Sequence, residues 1–197
     1  MKHLTLAILT VTGTIFCGSV TAADTKLIKE CEECHKDNGT GGEKHTPSIA
    51  GIHPDFFVES MAMFKSGERP TPNEDAEKMK KAVDKLSEAQ INELAAYYSK
   101  QQFKPRDQKF DTAKAKAGSK HHKKYCAKCH EDNGKANTDG AAILAGQPME
   151  YLRASMKAYA DKSRPMGKSM AKKIKALHKK AGEKGIEEVI QFYASQK

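Results

Sequence analysis

Two short motifs carry the chemistry of this chain. Cys31-Glu-Glu-Cys34-His35 and Cys126-Ala-Lys-Cys129-His130 are both Cys-x-x-Cys-His, set 95 residues apart. Two thiols one helical turn apart can each form a thioether to the two vinyl groups on one haem edge. The adjacent imidazole then faces the iron, so Cys-x-x-Cys-His reads as a c-type haem attachment site. A structural zinc needs four ligands and a second pair close by, and here each pair has its own His. A thioredoxin-like dithiol wants a strand–turn–helix context that the sequence lacks. Disulfides are the ordinary fate of exported cysteines, but the His after each pair argues against that reading.

The sixth iron position decides function. A Met sulfur there gives a filled iron suited to electron transfer, whereas an open position permits small-molecule or peroxide chemistry. Met61, Met63 and Met79 are the candidates in the first half, and Met166 and Met170 in the second. Met79 stands seven residues before Leu86, and Met170 seven before Leu177. This shared register favours His35–Met79 and His130–Met170 as axial pairs. Met79 is expected just before a C-terminal helix, where a loop would bring its sulfur to the iron. The other nitrogen of each axial His needs an acceptor. The Pro47 carbonyl is expected to serve His35, and that of Ala142 to serve His130. His121 and His122 are expected on a solvated helical approach to the second motif. His45, His53 and His178 are expected at the surface or in local hydrogen bonds.

The elements that must position these residues repeat with the motifs. The 95-residue offset carries Asp37-Asn38-Gly39 onto Asp132-Asn133-Gly134, and Ile49-Ala50-Gly51 onto Leu144-Ala145-Gly146. It carries Phe64 onto Tyr159, Arg69-Pro70 onto Arg164-Pro165, and Tyr98 onto Tyr193. The chain is a tandem duplication. Helices are predicted over 54–66 and 148–160, each with an apolar face. Ser87-Glu88-Ala89-Gln90 predicts a capping box that opens another helix, and residues about 186–195 predict its counterpart. No alternating run suggests a strand, so the chain is expected to be all-α. Residues 23–104 and 105–197 are the expected domains, with the boundary near Lys104-Pro105-Arg106-Asp107.

Residues 1–22 read as an export signal: Lys2 and His3, an apolar run, then Val20-Thr21-Ala22. Cys17 would leave with it. The run is too interrupted for a membrane span, and export implies a periplasmic location. Charge is uneven. Residues 24–105 hold 12 Lys and Arg against 15 Asp and Glu, and residues 106–197 hold 21 against 10. Such polarity can orient a redox partner. No nucleic-acid-binding motif accompanies it.

Together these residues resemble the dihaem class I cytochromes c of the cytochrome c4 type, above all in Leu144-Ala145-Gly146-Gln147 with Tyr151-Leu152. The resemblance covers the chain after the signal. It implies two cytochrome c domains related by a pseudo-twofold, each with one covalent haem c. Phe64-Lys65-Ser66-Gly67-Glu68, Phe110-Asp111-Thr112-Ala113, Lys124-Tyr125-Cys126, Arg164-Pro165-Met166 and Phe192-Tyr193-Ala194-Ser195-Gln196 are similar to the cytochrome subunit of flavocytochrome c sulfide dehydrogenase. In that family a flavoprotein (FAD) subunit oxidises sulfide and the dihaem subunit, not catalytic alone, takes the electrons. The departure is four extra residues in the loop between Gly67 and Met79. Two alternatives stand beside this: a free-standing dihaem carrier feeding a terminal oxidase, and a peroxidase-like enzyme with one open iron. A lasting flavoprotein partner would call for an apolar patch on one face.

Overall fold

A computed structural model describes residues 24–197, and the signal segment, with Cys17 and its cleavage site, lies outside the described residues. All regular structure among them is helical. The first half consists of α1 (Thr25–His35), α2 (Pro54–Ser66), α3 (Glu74–Asp84) and α4 (Glu88–Tyr98). The second consists of α5 (Thr112–His121), a π turn at His122–Cys126, α6 (Glu131–Gly134, a single turn), α7 (Met149–Ala160) and α8 (Lys168–Ala194). No helix among the described residues is long and apolar enough to cross a membrane.

Local chemistry sets the helix ends. Pro54 opens α2, where its missing N–H costs nothing, and Gly67 closes it in the left-handed region. Asn73 caps α3 and Asp111 caps α5. The predicted capping box is present: Ser87 Oγ accepts from the Gln90 amide, and Gln90 Oε1 accepts from the Ser87 amide. Helix α8 runs from Lys168, and Gly182, with φ +60° and an extended ψ, breaks it into two helical arms, the second of which is the helix expected at about 186–195. The C-terminal arm is the counterpart of α4.

The repeat is reproduced hydrogen bond by hydrogen bond. The amides of Ile49 and Ala50 donate to the Gly39 carbonyl at 2.8 and 3.0 Å, and those of Leu144 and Ala145 donate to Gly134 at the same two distances. Gly51 N–H donates to Tyr98, as Gly146 N–H does to Tyr193, each at 2.8 Å. Gly39 and Gly134 hold positive φ, and a Cβ on either would collide with the neighbouring Tyr ring. Each half has its own core. Phe57, Met61, Phe64, Leu94 and Tyr98 anchor the first, and Leu152, Leu177, Val189, Ile190 and Tyr193 the second. Residues 102–111 join them without helix.

Polar contacts sew the halves together. The buried Gln147 side chain accepts from the Ser48 amide and donates to the Ser48 carbonyl, both at 3.0 Å. Arg69 donates to the Tyr151 hydroxyl at 3.1 Å, Arg106 to the Gly42 carbonyl and Asn137 to the Gly51 carbonyl. Ser48 and Gln147 are not equivalent under the 95-residue offset, so this joint is asymmetric in detail.

Candidate functional site

Helix α1 puts Cys31 and Cys34 one turn apart and ends on His35. The π turn and the bend after it deliver Cys126, Cys129 and His130 in the same order. All four thiols are unpaired, with Cys34 and Cys129 exposed. No cluster of three or more His, Cys, Asp or Glu that could hold a metal by itself occurs among the described residues.

His35 is 6% exposed and its Nδ1 lies 2.9 Å from the Pro47 carbonyl. His130 Nδ1 lies 3.4 Å from the Ala142 carbonyl. Both expected acceptors are in place, and the longer contact belongs to the half that lacks the proline. Burial holds both imidazoles below their ordinary pKa, opposed in each by the carbonyl contact. A neutral ring with one nitrogen engaged leaves the other to face a metal.

One cavity of about 920 Å³ reaches both motifs. Cys31, Cys34, His35 and Met79 line it from the first half, and Cys129, His130 and Met170 from the second. Cys126 packs against the second core instead. Met61, Met63, Met156 and Met166 also reach the cavity, so Met166 and Met170 share the second site. Met79 corrects an expectation. It sits within α3 rather than in a loop, because Asn73 caps the helix six residues earlier and absorbs the acidic stretch into its first turn. Met170 likewise lies in the first turn of α8.

The polar lining tests what the cavity can hold. Arg164 is 4% exposed, its Nε has no hydrogen-bond partner, and it pairs with no carboxylate among the described residues. Its guanidinium lies over the Tyr159 ring at 4.8 Å, as Arg69, its repeat equivalent, lies over Phe64 at 4.6 Å. Burial pushes the Tyr151 phenol up, but Arg69 and Arg164 together pull it below its ordinary value. A buried guanidinium without a counter-charge is costly. A haem, apolar in its ring and anionic at its two propionates, suits this lining. Cys31, Cys34, Cys126 and Cys129 would attach such groups, and His35 and His130 would face the irons.

Residues 23–101 match the cytochrome c family. The described chain superposes on reduced recombinant cytochrome c4 from Pseudomonas stutzeri with a TM-score of 0.71 and 23% identity, covering 89% of this chain and 98% of that one. The fold is therefore that of cytochrome c4, two tandem class I cytochrome c domains. Cytochrome c4 of Azotobacter vinelandii is 27% identical over 166 residues, 77% of this chain and 78% of the relative. A thiosulfate dehydrogenase electron acceptor from Thiomonas intermedia (strain K12) is 27% identical over 150 residues, 70% of this chain and 67% of its own. A thiosulfate dehydrogenase from Marichromatium purpuratum superposes with a TM-score of 0.67 at 22% identity, over 85% of this chain but 36% of that one.

Several residues behave differently from their sequence reading. His122 is 2% exposed, not solvated, and its Nδ1 lies 3.0 Å from the Tyr193 hydroxyl. His121 is half-buried and pairs with Glu188 at 2.9 Å. His45 lines the cavity with its Nδ1 buried and unpartnered, whereas His53 and His178 make the local contacts expected of them. The 95-residue register could have flagged His122, since it falls on the apolar Leu27 of the first half. Phe110 is an exposed large apolar side chain on the segment that joins the halves.

Proposed function

We propose that this chain is a periplasmic dihaem electron-transfer protein, with domains over 23–104 and 105–197. Haem c is held at Cys31 and Cys34 in the first and at Cys126 and Cys129 in the second. His35 with Met79, and His130 with Met170, complete the iron coordination. The observation that carries this reading is the single cavity reaching both motifs. Two groups seated in one shared cavity would lie close enough to share electrons. The protein's own part is to hold each imidazole neutral and oriented, to keep water away with apolar walls, and to offset propionate charge with Arg69 and Arg164. The bound haem supplies the one-electron step.

The electron donor is a dehydrogenase acting on a reduced inorganic sulfur compound. Two donors are in view. The motif resemblance favours a FAD-containing sulfide dehydrogenase subunit. The Thiomonas relative, an electron acceptor of thiosulfate dehydrogenase by name, favours a thiosulfate donor. Export beyond the cytoplasm fits both donors.

The test is direct. Pyridine haemochrome spectra with intact mass should give two covalent haems per chain, and the reduced protein should not bind carbon monoxide. One haem, or none, refutes the dihaem reading, and carbon monoxide binding in the parent supports an open, peroxidase-like iron instead. Stopped-flow reduction by a purified flavoprotein sulfide dehydrogenase and by a thiosulfate dehydrogenase then separates the donors. Reduction by neither leaves a carrier outside sulfur oxidation.

A further inference from the structure

The two helices that carry Met79 and Met170 differ in charge. The register that sets Met79 on Met170 sets α3 against the first arm of α8, residues 168–181. That arm holds six lysines and no Asp or Glu. Lys168, Lys172, Lys175 and Lys179, at i, i+4, i+7 and i+11, form one ridge, and all four are exposed. The first three fall on Glu77, Lys81 and Asp84 of α3, so the charge is reversed at two of the three positions.

Helix α3 follows the local rules of helix charge, and the arm breaks them. Glu74, Asp75 and Glu77 fill the first turn of α3, where the dipole favours anions. Lys78 pairs with Glu74 at 2.6 Å, and Lys80 with Asp84 at 2.7 Å. The arm has no acid in its first turn, and its ridge sets like charges at the spacing where they repel. The carboxylates nearest to it in sequence are engaged elsewhere, Asp161 with Lys157 at 2.6 Å and Glu183 with His178 at 3.0 Å. A ridge that weakens its own helix and finds no counter-charge within the chain fits a partner outside it. Met170 lines the cavity and Leu177 is buried, both on the face opposite the ridge. The ridge therefore stands about one helix diameter, 10–12 Å, outside the cavity wall.

We propose that the ridge of Lys168, Lys172, Lys175 and Lys179 is the docking surface for an acidic redox protein that exchanges electrons with the second site. Each encounter moves one electron between the second haem and the partner's own redox centre, one being oxidised as the other is reduced, with no bond made or broken. An anionic membrane would match the charge, but a surface helix needs an apolar face turned outward, and the apolar face of the arm is turned into the protein. A second copy would need an acidic face to offer, and Glu74 and Asp84 of α3 are already paired with lysines of their own helix. This docking rests on the dihaem reading above and goes beyond it by naming where a partner sits and what charge it carries.

The test is stopped-flow oxidation of the reduced holoprotein by acidic plastocyanin, a one-electron copper protein, across a range of salt. The parent rate constant should fall as salt rises. Lys168→Glu, Lys172→Glu, Lys175→Glu and Lys179→Glu together should lower it by about tenfold or more at low salt and remove its fall with salt, since steering of this kind is worth 10- to 1,000-fold. Lys104→Glu, Lys109→Glu, Lys116→Glu and Lys120→Glu together change net charge equally at exposed lysines outside the arm and should cost clearly less. Oxidation by benzoquinone, which is uncharged, should be the same in all three proteins. A parent rate that ignores salt, or an equal loss in the two variants, overturns the proposal. If the reversed ridge does not assemble, glutamine at the same four positions is compared with glutamine at the four control positions, and equal losses again overturn it. Ridge-dependent binding of the parent to phosphatidylglycerol vesicles at physiological salt, or a dimer that ridge reversal dissolves, overturns it in favour of a lipid surface or a second copy. A parent without two covalent haems removes the dihaem reading, whereas two haems with a salt-independent rate remove this inference alone.

Discussion

Removal of the Gln147 side chain tests how the two halves are joined. Its carboxamide is 5% exposed and satisfies both main-chain groups of Ser48, itself buried, at 3.0 Å each. Gln147→Ala strands one buried N–H and one buried carbonyl on the opposite half. Each such group costs about 1–3 kcal/mol when left unpaired. The pair therefore predicts a loss of about 2–6 kcal/mol, with the lower end reached if water enters the gap. The main-chain carbonyl of Gln147, which accepts from Gln108, is untouched. Gln147→Glu keeps the acceptor for the Ser48 amide but sets a carboxylate oxygen against the Ser48 carbonyl, and should be no better. The assay is guanidinium denaturation of the holoprotein, followed by haem absorbance and far-ultraviolet dichroism. The parent should unfold in one transition, and Gln147→Ala earlier and with the halves separating into two. A midpoint shift equivalent to less than about 0.5 kcal/mol, with a single transition, would refute the claim that this joint couples the domains.

Three further outcomes follow from the same geometry. Gly39→Ala places a Cβ 2.7 Å from Ile49 and 2.8 Å from Tyr98 at positive φ, and should cost several times the roughly 1 kcal/mol expected for Gly67→Ala, which has open space around it; thermal melts of the two variants check the ratio. Glu187 is held below its ordinary pKa by Arg153, which binds both its carboxylate oxygens. That contribution is full above the unfolded carboxylate value and is lost as pH falls through the lower folded one, so Arg153→Met should cost about 1 kcal/mol near neutrality, after allowance for partial exposure, and nothing near pH 3 in denaturant titrations. Met79→Ala and Met170→Ala should each open one iron to carbon monoxide, seen as a shifted Soret band in half of the haem. If neither variant binds it, both axial assignments fall.

The attachment chemistry was legible because it is local. Two thiols and an imidazole within five residues specify one kind of site wherever the chain places them, and the duplication at a 95-residue offset set the architecture before any contact was known. The capping signal at Ser87 was equally local, and its helix starts where that residue predicts. Met79 was harder. Its distance to Leu86 was visible, but its place within α3 depended on Asn73 capping a turn that reads as acidic loop. His122 was misread because Lys120-His121-His122-Lys123-Lys124 has the composition of a solvated face, while its burial comes from Phe192 and Tyr193, some seventy residues away. The Gln147–Ser48 joint arises the same way, from groups that meet only when the two halves close. The sequence alone therefore set the expectation of one haem at each of the two Cys-x-x-Cys-His motifs. Only the tertiary structure decided that one cavity reaches both and that their surroundings differ, because burial and charge pairing are properties of the packed halves and not of either segment.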